Sequence, residues 1–273
     1  MAYRTILVNI DIDGPVAPVV NTAIGLARSH DAKLIAICAA DAPMPMGGPE
    51  AAGLMVDAWL QMRTFIEERF REVRAEFERL TAGSIEAEWR QQLASPTQAV
   101  VEAARSADLI VMAAFEGAAT GNAYRIADPA GVVLRAGRPL LVVASNAEYL
   151  RAEKVVVAWK DAREARRAIS DAIPFLAAAE QVIVATVAPE IDEWVRSSVN
   201  DVLAFLAGHG IAATPELIAC ADESVALFEF IEHSGAGLVV SGAYGHSRLR
   251  EWAFGGVTRS LLDETGFNRF MSS

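Results

Sequence analysis

The chain is poor in cysteine and histidine, with two of the first and four of the second. Cys38 and Cys220 sit in apolar runs far apart, which excludes a disulfide framework and reads as two reduced, buried thiols. No CxxC, HExxH or grouped carboxylate motif occurs, so metal ligation and general acid/base chemistry find no support and no metal site is expected. Positive charge is also scarce: 24 Lys plus Arg face 35 Asp plus Glu, a formal net charge of −11. Such a surface repels a nucleic-acid backbone and anionic lipid, so neither is an expected partner, although a local basic spot can still hold a small anion. Apolar runs stop short of the ~20 residues that span a bilayer. The opening MAYRTILVNID has no charged leader followed by an apolar stretch and a small-residue cleavage site, so a cytoplasmic protein is expected. What is abundant is apolar side chain, 53% of the chain, enough for one large core or two ordinary ones.

Strand and helix patterns alternate. RTILVNI is a short β-branched run of the kind buried on both faces, Val16 to Ala27 is helical, and AKLIAICA returns to strand. A Pro/Gly-rich loop leads to a long amphipathic helix with Trp59, Met62, Ile66, Val73, Phe77 and Leu80 on roughly one face. The half-exposed strand SIEAEWRQQL follows, then a helix over TQAVVEAARS, the strand DLIVMAA, a helix over PAGVVLRA and the strand RPLLVVAS. The programme then restarts. EKVVVAW answers RTILVNI, EARRAISDAIPFLA answers the first helix, EQVIVATV answers AKLIAICA, and AGLVVSGA answers ADLIVMAA. The period of ~150 residues is a domain length, so the chain reads as a tandem duplication with units at 1–146 and 152–273.

Repeated strand–helix units with right-handed crossovers imply, in each unit, a parallel sheet covered by helices on both faces. Ligands in such sheets bind beyond the carboxyl ends of the strands, where the strand order reverses. That place holds NID and VMAAFE in the first unit, AWKD and VSGAYG in the second. In the second unit Gly242 and Gly245 follow a strand pattern and Gly255 and Gly256 precede a helix pattern. Glycine there allows a positive φ and close approach of a bound group to the backbone. The free amides of a helix start attract anions, and Thr258 can bond an anion or cap the helix. In the first unit Ala113 and Glu116 stand opposite the paired glycines, and Ala127 with Asp128 near the second pair. Asp128 reads as a helix N-cap with Pro129 at the first helical position, which would fill the anion site with the chain's own carboxylate.

The spacing of glycine, any two residues, glycine, any nine, glycine and a small residue resembles the nucleotide-binding loop of the universal stress proteins. The two-copy build, GRPLLVVAS closing the first copy and AWKDAREARRAI opening the second are similar too, so the resemblance covers nearly the whole chain. It implies a Rossmann-like α/β fold with five parallel strands per unit in the order 3-2-1-4-5. It also implies ATP or a related adenine nucleotide, with Mg accompanying it, bound by a stress-response regulator that is not an enzyme beyond weak ATP hydrolysis. Carried onto this chain, phosphate and ribose contacts fall on Gly242, Gly245, Gly255, Gly256, Val257 and Thr258. The adenine pocket falls on Ala158, Trp159, Lys160 and Val187. Two positions depart from the family pattern: Gly256 stands where Ser or Thr is usual, and Lys160 where Asp is usual, while the first unit keeps that acid as Asp11.

Other readings stand beside these. The glycines can serve a tight turn and close helix packing, Lys160 can be a solvated side chain, and Trp159 can pack rather than stack on a base. His246, Arg248 and Arg250 lie in the same loop, whereas His30, His209 and His233 fall near predicted helix ends, where a positive imidazole suits the dipole. The rival functions are a nucleotide-free interaction module and, more remotely, an adenylylating enzyme, which would need a Ser/Gly-rich loop directly after the first strand. The partners expected are a small-molecule nucleotide and the chain's own second unit, in an intramolecular pseudo-dimer, with a homodimer as a further option. GFNRFMSS should be the last strand, and Asn268 and Arg269 within it suggest a sheet edge or a frayed end.

Overall fold

The computed structural model describes residues 2–44, 52–114, 122–144, 150–243, 261 and 266–273. The first half runs β1 (Thr5–Asn9), α1 (Val16–His30), β2 (Lys33–Ala40), α2 (Ala52–Thr81), β3 (Ala87–Leu93), α3 (Pro96–Ala103), β4 (Leu109–Ala113), α4 (Pro129–Arg135) and β5 (Leu140–Val143). The second half runs β6 (Lys154–Ala158), α5 (Arg163–Ala178), β7 (Gln181–Ala188), α6 (Glu193–Gly208), β8 (Ala213–Ala219), α7 (Glu223–Ser234), β9 (Leu238–Gly242) and β10 (Asn268–Ser272).

Among the described residues, ten strands form one sheet in the order β3-β2-β1-β4-β5-β10-β9-β6-β7-β8. Counted from the first strand of each half, both halves read 3-2-1-4-5, the order that the family resemblance implied. Pairing is parallel within each half and antiparallel between β5 and β10. The carboxyl ends of the strands, and with them the two crevices, therefore lie at opposite ends of the sheet. The inner strands are buried runs of Val, Ile, Leu and Ala, as a sheet covered on both faces requires. The outermost strands β3 and β8 are half-exposed and polar, and Pro215 is tolerated in β8 because an edge strand need not donate on both sides. One apolar layer lies under α1, α2, α5 and α6 and the other under α3, α4 and α7.

The last strand corrects the expectation drawn from its polar residues. β10 is not an edge but the strand at the centre of the sheet, paired on both sides. Asn268 is buried there and joins the halves: its amide nitrogen donates to the Gly237 carbonyl at 2.8 Å and its amide oxygen accepts the Ala144 N–H at 3.0 Å. Arg269 is fully buried and donates to the Leu261 carbonyl at 3.0 Å. Further bonds cross the seam from Tyr3 Oη to the Asp171 carbonyl (2.6 Å) and from Ser273 Oγ to the Val133 carbonyl (2.8 Å). Tyr3, His30, Phe175 and Phe270 form an aromatic cluster over it. Burial holds the His30 imidazole below its usual pKa, so this helix end carries less of the positive charge that its position suggested.

Replacing Asn268 with Ala strands the Ala144 N–H and the Gly237 carbonyl in a dry seam. Two unpaired buried groups predict a loss of about 2–5 kcal/mol, read as a lower urea midpoint. A loss below about 0.5 kcal/mol contradicts the assigned role.

Candidate functional site

In the first crevice, the described residues bond the helix-start amides to the protein's own groups, while Glu116 lies outside the described residues. Asp11, just past β1 and buried, accepts the Asn9 side-chain amide and the Ala127 backbone N–H on one oxygen, both at 3.0 Å. Asp128 caps α4, its two oxygens accepting from Ala130 N (3.0 Å) and Gly131 N (2.9 Å), while its own N–H donates to Thr97 Oγ1 at 2.9 Å. Pro129 between them has no N–H to offer. The amides that would cradle an anion at this helix start are thus taken, and two carboxylates occupy the place, as the N-cap reading of Asp128 expected. Arg125 clamps Asp13 through two bonds, one of 2.8 Å, and Arg69 donates to the Ile12 carbonyl at 3.1 and 3.3 Å, so the loop after β1 is pinned. Burial pushes the Asp11 carboxyl above its ordinary pKa, and burial with Asp11 nearby pushes the Cys38 thiol up as well. Cys38 is the buried, free thiol expected, whereas Cys220, also free, is only partly buried.

In the second crevice the structure describes Ala158, Trp159, Lys160, Val187 and Gly242; Gly245, Gly255, Gly256, Val257 and Thr258 lie outside the described residues, as do His246, Arg248 and Arg250. Ala158, flanked by Ala185 and Ser241, and Val187 both pack on the α7 side of the sheet. Trp159 turns to the opposite side, buried in the layer under α5 and α6, where its indole N–H donates to Ser198 Oγ at 3.3 Å. The four residues assigned to one adenine pocket are therefore divided between two faces, because successive residues at a strand end point opposite ways. Lys160 is largely exposed, and its ammonium lies 2.7 Å from the carboxylate of Glu223 in the first turn of α7.

Gly242 departs from the reason given for it. It is absent from the positive-φ glycines of the described residues, which are Gly83, Gly137, Gly210 and Gly235. A Cβ at Gly242 would stand 2.6 Å from the Ala165 backbone nitrogen and 2.7 Å from the Glu164 carbonyl carbon. The space beside this glycine is taken by the first turn of α5. Glu164 in that turn is buried against it and paired with Arg163 at 3.0 Å. Sequence reasoning passed over Glu164, since a glutamate in a first helical turn reads as a solvated partner of the dipole. Glu223 was missed because its lysine lies in another element.

A family model described as the universal stress protein family matches residues 2–144, more than half of the chain. The chain belongs to that family. The matched residues are those of the first half, so the match does not rest on the glycine loop of the second. A universal stress protein from Archaeoglobus fulgidus DSM 4304 is 14% identical over 98% of this chain and 96% of its own, with a TM-score of 0.74. A functionally unknown protein from Pseudomonas aeruginosa PAO1 is 17% identical over 99% and 92%, with a TM-score of 0.58. Both show the fold along the whole chain. A universal stress protein solved in complex with cAMP is 25% identical over 52% of this chain and 98% of its own, at a TM-score of 0.35; the cAMP is a property of that protein. No curated protein matches the chain. Among the described residues no helix is long and apolar enough to cross a membrane.

Two substitutions check the site geometry. Gly242→Ala forces α5 off β9 and should lower stability by about 1–3 kcal/mol in protein free of any ligand, measured by urea unfolding; no change would return Gly242 to a ligand role. Asp11 has a folded pKa raised above 3.8, so its burdening charge is absent below that pH and fully present once the pH exceeds the folded value. Asp11→Asn keeps an acceptor for Ala127 and should raise the thermal midpoint by a few degrees near neutral pH, with the gain disappearing by about pH 3. An unchanged or lowered midpoint near neutral pH contradicts this.

Proposed function

We propose that this universal stress protein is an adenine-nucleotide-binding regulator of the stress response, located in the cytoplasm, that uses its second unit (152–273) for ligand and its first (1–146) as a scaffold. The observation that carries the reading is the inequality of the two crevices. Where the first places buried Asp11, the second carries Lys160 at the equivalent position, and the Asp128 cap stands near the place of Gly255 and Gly256 in the repeat. A crevice that presents carboxylates rejects phosphate, whereas one whose sequence sets paired glycines before a helix pattern, with an ammonium at its mouth, favours it.

In this reading Gly245, Gly255, Gly256, Val257 and Thr258 hold the phosphates and ribose of ATP or a related nucleotide, with Mg beside the phosphates. Ala158 and Val187 line the base. Lys160 stands at the rim, where Glu223 neutralises it until a phosphate competes for the ammonium. Trp159, facing the other side, is left out of the adenine pocket, and Gly242 acts by admitting α5. The loop after β6 reads WKDA and lacks the Ser/Gly-rich pyrophosphate loop of adenylylating enzymes, which favours binding over catalysis.

The Lys160–Glu223 pair also supports a second reading, a nucleotide-free interaction module with both crevices closed. Protein purified from cells and heat-denatured should release adenine nucleotide near one equivalent, and Gly245→Asp should abolish that retention. Release of none, together with no heat of ATP binding at millimolar ligand, would leave the interaction module as the function.

A further inference from the structure

The two halves differ on the face covered by α1, α2, α5 and α6 as well as at their crevices. In the first half α2 is a helix of 30 residues that buries Ile66, Phe70, Val73 and Phe77. Its counterpart α6 has 16 residues. Between α5 and α6 opens a groove of about 430 Å³, within the range of small-molecule sites. Its floor is Trp159, Ile169 and Val202, all buried, and its walls carry Trp194 and Phe205, which are 71% and 43% exposed.

The polar groups of this groove mostly accept. The Ser170 hydroxyl donates to the Arg166 carbonyl at 3.1 Å and the Ser198 hydroxyl to the Val195 carbonyl at 3.0 Å, leaving lone pairs on each. The Trp159 N–H is already given to Ser198. Ser197, at the exposed rim, can act either way. The cation lining the groove, Arg166, is bonded to Asp161. Asp201 adds a second carboxylate to the lining, against Arg166 as its cation. Two indoles and a phenyl ring beside an excess of carboxylates match a ligand with an apolar body and a positive charge, since aromatic faces attract cations and the acids repel anions.

We propose that the α5–α6 groove is a second ligand site that takes small organic cations, a substituted ammonium on an aromatic or alkyl body. It lies on the sheet face opposite Ala158 and Val187 and does not depend on nucleotide binding. The probe is benzyltrimethylammonium, titrated calorimetrically into the full-length protein, with benzylsulfonate as the anion of similar shape. The cation should bind and the sulfonate should not. Trp194→Ala, a change at an exposed side chain, should weaken the cation about 5- to 30-fold with the circular dichroism unchanged. Asp201→Asn should weaken it about 3-fold or more. Gly245→Asp should leave it unaltered. Equal binding of cation and sulfonate, or cation binding indifferent to Trp194→Ala, overturns the proposal. So does a dimer in sedimentation that Trp194→Ala dissolves, because the groove then belongs to a second copy of the chain.

Discussion

The structure depends on the pairing of β5 with β10. Each half alone would end in a strand with one unpaired edge, and a buried edge without partners is costly to leave open. Joined antiparallel, the two edges satisfy each other and make ten strands into one sheet. Asn268 supplies what the ladder cannot, bonding Ala144 of the first half and Gly237 of the second from one buried side chain. A buried amide of this kind fixes register, because any slip leaves polar atoms without partners. The antiparallel join also sends the strands of the two halves in opposite directions, so their crevices face opposite ends of the molecule and can diverge independently.

That divergence shows in the residues that stand at the two crevices. A helix start at a switch point has a few backbone amides to offer, and they serve either the protein or a ligand. In the first half Asp11, Asp128 and Thr97 have claimed them or their surroundings. Those amides are bonded within the protein itself. In the second half the equivalent of Asp11 is Lys160, and the carboxylate it meets belongs to another element. The α5–α6 groove lies on the opposite face of the same half.

Most of the architecture was legible because it rests on periodicity. The buried runs RTILVNI and EKVVVAW became β1 and β6, and the repeated programme foretold two parallel halves, while the order 3-2-1-4-5 came from the family resemblance. The Asp128 cap was legible from an Asp-Pro pair at a helix start. What escaped depended on contacts between distant elements. Asn268 and Arg269 looked like edge residues because a polar pair in a strand usually means solvent, and only the partner strands show otherwise. Gly242 looked like a ligand glycine because the α5 backbone that presses on it is some eighty positions earlier in the chain. Ala158 and Trp159 were assigned to one pocket by the family resemblance, and the alternation of faces at the strand end puts them on opposite sides of the sheet.

The claim that the seam makes one cooperative body is tested most directly by native-state amide hydrogen exchange at Leu141, Val142, Arg269 and Phe270. The account predicts that these amides exchange only with global unfolding, at the same free energy as the central strands β1 and β6. Exchange at the seam by a lower-energy opening, with β1 and β6 still protected, would mean that the halves separate as independent domains and would contradict it.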